Sequence, residues 1–329
     1  MAPLQSLEAI VAAVQQREAL ARVVVAGAED PSAAAAVARA AQLGIAVPVL
    51  VGDAARIHPL LAQWPQLQHV AVLHEPDPSA AVARAIGCIQ EDRAEFLMKG
   101  AVKTDVLLRA VLDRKAGLGV VGVLSHVAVL EHPLEPRLLL LTDAAVNVTP
   151  SLHRKIDIIA NAVAVAQMLG IARPRVAVLS ATERIAYQIM PSTKDADVLA
   201  KLCRMGVFGD AVVGGPYALD IAVSRDKARR KGVDDDVAGQ ADILCAPDIE
   251  AGNILYKSIS TLMGRPMAGV VVGACRPLVV PSRADEEASK LYALALAAYL
   301  SSPCPQGRHA EGPLASEPVG LSCCACAIS

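Results

Sequence analysis

The sequence lacks the charge surplus of a nucleic-acid binder. Its 329 residues carry 31 Lys and Arg against 33 Asp and Glu, a formal net charge of −2, so no broad basic field exists to hold a polyanion. An anionic ligand has to be gripped by a local site, and no nucleic-acid partner is expected. A long hydrophobic run is also lacking. Mean hydropathy is high at +0.42, yet the apolar stretch Leu291 to Leu300 is about half of the roughly 20 residues that a bilayer requires, so no membrane partner is expected. The opening Met1-Ala2-Pro3-Leu4, with Glu8 close behind, has neither the basic nor the apolar segment of a secretory signal. Cys88, Cys203, Cys245 and Cys275 stand singly through the body of the chain, as small buried hydrophobes do in a reducing compartment. A cytoplasmic location is the expectation. Gly-x-Gly-x-x-Gly is missing from the turn after the first predicted strand, where a dinucleotide fingerprint would first be sought.

What is present is core. Hydrophobic residues make up 54% and charged residues 19%, in a chain about twice the size of a ~150-residue domain. Leu7, Ile10, Val11 and Val14 recur at helical period. The run Arg22 to Ala26 reads as a strand, Ser32 is placed to cap an Ala-rich helix to about Leu43, and Pro48 to Val51 reads as a second strand. Two apolar strands joined by a helix imply a parallel sheet, covered on both faces, with a right-handed crossover. The pattern continues with strands over 68–73, 120–130 and 137–141 and helices over 79–90 and 104–115. After Asn147-Val148-Thr149-Pro150 a second series begins, with helices over 151–169, 193–205 and 249–262, strands over 175–179, 211–213, 241–244, 267–272 and 277–280, and a last helix over 285–300. The expected fold is α/β and two-lobed, with mostly parallel sheets flanked by helices and ligands beyond the strand ends.

From Ser301 the composition turns to Pro, Gly, Ser and Cys, and 303–329 read as a disordered tail. Its last four residues, Cys326-Ala327-Ile328-Ser329, have the form of a prenylation box without a polybasic companion. Cys323, Cys324 and Cys326 with His309 raise the question of zinc, but a mobile tail is the plainer reading. No metal is expected.

Four segments put polar groups at strand ends or helix starts. Lys99, Lys103 and Arg109 bring positive charge to the start of a helix, whose free N–H groups already favour anions. Thr142, Asp143 and Asn147 follow an apolar strand and suit either an Asx-type turn or a binding loop. Gly252 and Asn253 open another helix, a poor place for Gly unless something approaches the backbone closely, and Lys257 shares a face with Asn253. Ser282, Arg283 and Asp285 bring a hydroxyl, a guanidinium and a carboxylate to a strand end, where an ordinary helix cap is the plainer reading. His126 and His132, flanking one apolar strand, read as packed core or turn histidines rather than catalytic ones.

In combination these segments resemble the phosphate acetyl/butyryl transferase (phosphotransacetylase) family from about residue 20 to 300. The resemblance rests on Met98-Lys99-Gly100 with Thr104, on Ser125-His126-Val127, and on Thr142-Asp143-Ala144-Ala145-Val146-Asn147 with Pro150. It continues through Pro174 to Ser180 with Glu183, Pro191-Ser192-Thr193, Gly215-Pro216 with Asp220, and Ala238 to Leu244. Glu250-Ala251-Gly252-Asn253 with Lys257 and Ser282-Arg283-Ala284-Asp285 complete it. The pattern looks nearest to the butyryl-type branch.

The resemblance implies a two-lobed fold of the isocitrate/isopropylmalate dehydrogenase-like kind, a homodimer, and reversible transfer of a short acyl group between coenzyme A and inorganic phosphate. A coenzyme A thioester is then a substrate, and no tightly bound cofactor is implied. One lobe would comprise 1–148 with 282–302, the other 149–281, so that the last helix packs back on the N-terminal half. Ser282 and Arg283 would hold phosphate and the developing oxyanion, with Arg109 as a second cationic contact. Lys99, Thr142, Asp143, Asn147, Gly252, Asn253 and Lys257 would bind substrate. A free thiol titrates near 8.5, so acyl-CoA formation calls for a base. Acetyl-type members carry an Asp six residues after the Arg, where this chain has Ser289, and the nearest carboxylate, Asp285, is the expected substitute. Two further departures are Gly119 to Val123, which lacks basic residues, and Gly214, where relatives commonly have Asp. The competing readings are a coenzyme A or phosphate sensor without turnover and a metal- and nucleotide-dependent dehydrogenase on the same architecture.

Overall fold

The computed structural model describes residues 2–301. The first elements are α1 (Leu7–Gln15), β1 (Ala21–Ala26), α2 (Pro31–Gln42), β2 (Ala46–Gly52), α3 (Ala54–Leu61), β3 (Ala71–His74), α4 (Pro78–Gln90), β4 (Phe96–Lys99) and α5 (Thr104–Val111). Next come β5 (Ser125–Glu131), β6 (Leu138–Thr142), α6 (Leu152–Met168), β7 (Arg175–Leu179), α7 (Pro191–Arg204), β8 (Val212–Tyr217), α8 (Leu219–Val223) and α9 (Arg225–Arg230). The chain continues with β9 (Ile243–Cys245), α10 (Ile249–Lys257), β10 (Ala268–Val272), β11 (Leu278–Val279) and α11 (Glu287–Leu300).

Among the described residues the eleven strands join one sheet, in the order β3-β2-β1-β4-β11-β10-β5-β6-β9-β7-β8. The first five are mutually parallel, as are the last four, and β10 and β5 connect the two blocks through antiparallel pairs. Strands covered on both faces read as near-continuous apolar runs, as do β1, β5 and β6, which are almost wholly buried. Because β1, β4 and β11 point the same way, the turns after them come out at one edge. That edge carries Asp30, Lys99 and the 280–285 stretch. The last helix, α11, packs against α1, α2 and β10, and its buried face of Ala293, Leu294 and Leu296 to Ala298 joins the core that also takes in Val23, Val127 and Val178.

Several local expectations are corrected. The cap of α2 is Asp30, whose carboxylate accepts the Ala33 N–H, with Pro31 in the first turn. Ser32 instead lies inside the helix and accepts from Lys290 Nζ at 2.8 Å. The strand expected over 120–130 starts only at Ser125, because Gly119 and Gly122 take positive φ and end extended pairing before it. The helix expected over 249–262 stops at Lys257 and passes into a π-helical turn, Ser258–Leu262. The last helix begins at Glu287, since 282–285 form a turn of their own. β4, α3, α8 and α9 were not foreseen. At the end of 149–281, β10 and β11 pair with β5 and β4. The readings on the Cys-rich tail fall on 302–329 and lie outside the described residues.

Candidate active site

At the edge beyond β11, Ser282 and Asp285 tie one turn together. The Asp285 carboxylate accepts the Ser282 N–H at 2.8 Å, Ser282 Oγ accepts the Ala284 N–H at 3.3 Å, and the Asp285 N–H closes onto the Ser282 carbonyl at 3.1 Å. The second Asp285 oxygen accepts Lys257 Nζ at 3.1 Å, joining the end of α10 to the start of the α11 segment. Lys290, almost fully buried, donates to the Asp285 carbonyl at 2.7 Å and to Ser32. Two groups 28 residues apart thus meet as an ion pair.

Arg283 is exposed and has no ion-pair partner among the described residues. It lies close enough to Lys99 to help hold that ammonium below its usual range. Burial of Lys99 is the larger cause, and Asp30 opposes both. β4 and β11 are adjacent and parallel, with Leu97 beside Leu278 and Met98 beside Val279, so the chain emerges from both strands side by side. Lys99 Nζ donates to the Gly100 carbonyl at 3.2 Å, and an anion bound near both cations would relieve their mutual repulsion.

Thr142, Asp143 and Asn147 form a second cluster. Asp143 is 4% exposed. Its oxygens accept the N–H groups of Ala145, Val146 and Asn147 and the Asn147 side-chain amide. That amide also donates to the Leu124 carbonyl, and Thr142 Oγ1 donates to the His126 carbonyl. The start of α10 closes on this loop. Asn253 Nδ2 donates to the Ala144 carbonyl at 3.1 Å, and a Cβ at Gly252 would lie 2.3 Å from the Asp143 carbonyl. The close approach expected at Gly252 is therefore real, and what approaches is the chain's own backbone. Arg109 stands apart, 83% exposed, with Asp105 at 3.9 Å as its ion-pair partner.

Sequence reasoning undervalued His126. His132 fits the turn reading through its Nδ1, which accepts the Leu134 N–H, although its Nε2 is buried without a hydrogen-bond partner. His126 does not fit the reading of a satisfied core group: its Nδ1 is buried with no hydrogen-bond partner. Strand alternation sends Ser125 toward α6, where its Oγ accepts from Asn161. The same alternation sends the His126 ring to the opposite face, edge-on to Tyr256 with centroids 5.7 Å apart. Burial lowers the His126 pKa below 6.5, Lys257 acts in the same sense, and Asp143 and Asp285 oppose both. The one signal in the sequence was Gly269, a glycine inside a predicted strand; a Cβ there would lie 2.8 Å from His126 Nε2. At the Gly214 departure, a Cβ would lie 2.4 Å from the Tyr217 hydroxyl, which donates to Asp235; the phenol occupies the space a side chain would take.

Comparison with known proteins converges on one family. The profile described as "Phosphate acetyl/butaryl transferase" matches residues 77–298. The phosphate butyryltransferase of Clostridium acetobutylicum is 40% identical over 299 residues, covering 91% of this chain and 99% of that protein. The crystal structure of a branched-chain phosphotransacylase from Enterococcus faecalis superposes with a TM-score of 0.75 at 30% identity, over 86% of this chain and 99% of that one. A 4-hydroxythreonine-4-phosphate dehydrogenase from Klebsiella pneumoniae shares the fold alone, with a TM-score of 0.52 at 14% identity over 86% of this chain and 100% of that one. With a profile spanning most of its length and a relative matched almost end to end, the chain belongs to the phosphate acetyl/butyryl transferase family.

Proposed function

We propose that the chain is an acyltransferase that moves a short acyl group, acetyl or butyryl, reversibly between coenzyme A and inorganic phosphate. The observation that carries this reading is the edge where Lys99, Arg283 and the Lys257–Asp285 pair gather, in a chain of this family. Phosphate is an anion already and needs chiefly to be positioned, which the two cations and the Ser282 turn suit. Arg283 stabilises the oxyanion as the thioester carbonyl becomes tetrahedral. In acyl-CoA formation Asp285 takes the thiol proton, the thiolate attacks the acyl phosphate carbonyl, and the proton passes to the departing phosphate. The Asp143–Asn147 loop and the Gly252–Asn253 turn act as one braced wall of the crevice. Arg109 steers the incoming anion from the rim. The four single cysteines suit a cytoplasmic home, and the resemblance argues for a homodimer with one lobe of 1–148 and 282–302 and another of 149–281.

The test is release of coenzyme A from acetyl-CoA and butyryl-CoA with and without phosphate, for the parent chain and for Arg283→Ala. Phosphate-dependent release that falls about 10² to 10³-fold in the variant supports the reading. Release independent of phosphate, or equal in both proteins, overturns it.

A further inference from the structure

The His126 ring lines a cavity of about 20 Å³ together with Tyr256, Gly269, Asp285, Ser289 and Lys290. That volume exceeds the roughly 10–15 Å³ one water needs, and the wall supplies the several polar partners such a water requires. A water in that cavity would lie in one enclosed space with the ring and the carboxylate of the proposed base. The charged and titratable groups around the ring come from three directions. Asp143 lies on the loop after β6, Tyr256 and Lys257 on α10, and Asp285 and Lys290 on the stretch entering α11. Two carboxylates flank the ring and favour its cation, whereas Lys257 and burial disfavour it. Burial, the largest influence, favours the neutral ring at rest, and the two carboxylates are what would stabilise its cation if a proton reached it.

We propose that His126 is a positioning residue that acts through Asp285, storing the thiol proton across the one-water cavity while phosphate departs. The inference rests on the acyltransfer reading above. The S–H bond of coenzyme A breaks as Asp285 takes the proton, and Asp285 passes it through the cavity water to the imidazole. Asp285 is thereby restored to the carboxylate that pairs with Lys257. The thiolate forms the new C–S bond, the C–O bond to phosphate breaks, and the proton returns by the same path to the phosphate oxygen. Nothing is oxidised or reduced, and the protein ends in its starting state.

The experiment measures kcat, KM and the pH dependence of kcat in the direction of acyl-CoA formation for the parent, His126→Gln and His126→Ala, the last with and without added imidazole. Thermal melts accompany each protein. The expected result is a fall in kcat of about tenfold, smaller than loss of a direct acid–base group. The KM for acyl phosphate and for coenzyme A stays within about threefold, the acidic limb of the profile moves, and imidazole restores part of the kcat of His126→Ala. A His126→Gln protein with parental kcat and pH profile overturns the relay. So does a loss of kcat in His126→Ala that imidazole leaves untouched, because a ring needed only for packing behaves that way. A parent chain that shows no phosphate-dependent turnover instead sinks the acyltransfer reading, before any variant is compared.

Discussion

Arg283 and His126 do different work at the residue scale. Arg283 carries a planar fork of donors, and a lysine in its place keeps the charge but not the paired donors. Arg283→Lys should therefore recover only a minor part of the activity lost in Arg283→Ala, with the KM for phosphate still raised, as initial rates at varied phosphate would show. For His126 the consequence is one of linkage. The unfolded imidazole titrates near 6.5 and the buried one lower, so in the window between them the unfolded chain binds more protons. The stability that neutral burial permits is complete above about pH 6.5 and declines as pH falls through that window. Melting temperatures taken at about pH 7 and about pH 5 should drop less in His126→Gln than in the parent; an equal drop would show that this ring does not set the acid limit. Cys245, fully enclosed beside Lys155 and Asp143, has its thiol pushed up to about 12 by burial and should resist alkylation in the folded protein.

At the scale of elements, the loop after β6 and the start of α10 form a single braced unit. The three N–H groups that Asp143 accepts would be left without it in Asp143→Ala. Of the three residues only Asn147 is buried; an orphaned buried N–H costs about 1–3 kcal/mol, so chemical denaturation of that variant should show a loss of about 1–3 kcal/mol. Gly252→Ala places a methyl 2.3 Å from the Asp143 carbonyl and should push α10 off the loop. The measurable result is a lower melting temperature together with weaker substrate binding, because Lys257 sits at the other end of that helix. The long elements were legible in the sequence: α6 and α4 by their 3.6-residue period, β6 and β7 by unbroken apolar runs. The missed elements have separate causes. β4 is four residues, Phe96-Leu97-Met98-Lys99, too short for a period to register, and α3 carries Pro59 inside it, which a sequence reading counts as a breaker.

At the scale of the whole molecule, one sheet passes through both parallel blocks, and one apolar cluster holds residues from β1, β5, β7, α6 and α11. Units that share a continuous core unfold together. Calorimetry should record a single heat-absorption peak across residues 2–301, and two resolved peaks would show that the blocks are independent. The same continuity makes α11 indispensable. A chain ended at residue 284 exposes the apolar faces of α1, α2 and β10 that α11 covers and should be recovered only as aggregate.

The sequence alone determined the α/β class and the family resemblance, and it supplied the residue types proposed for the site. Period and apolar run length are local properties, and a hydroxyl, guanidinium and carboxylate within four residues can be read from the chain. It could not decide which of those groups meet. Lys257 reaches Asp285 only because β10 and β11 bring the segment after α10 back into the sheet beside β4. Asp143 turns from a candidate ligand into the hub of its loop because Gly252 lets α10 close on it. His126 changed from a packed histidine to an unpartnered one beside a one-water cavity, because hydrogen-bond satisfaction depends on every neighbour in three dimensions, and no stretch of sequence carries that information.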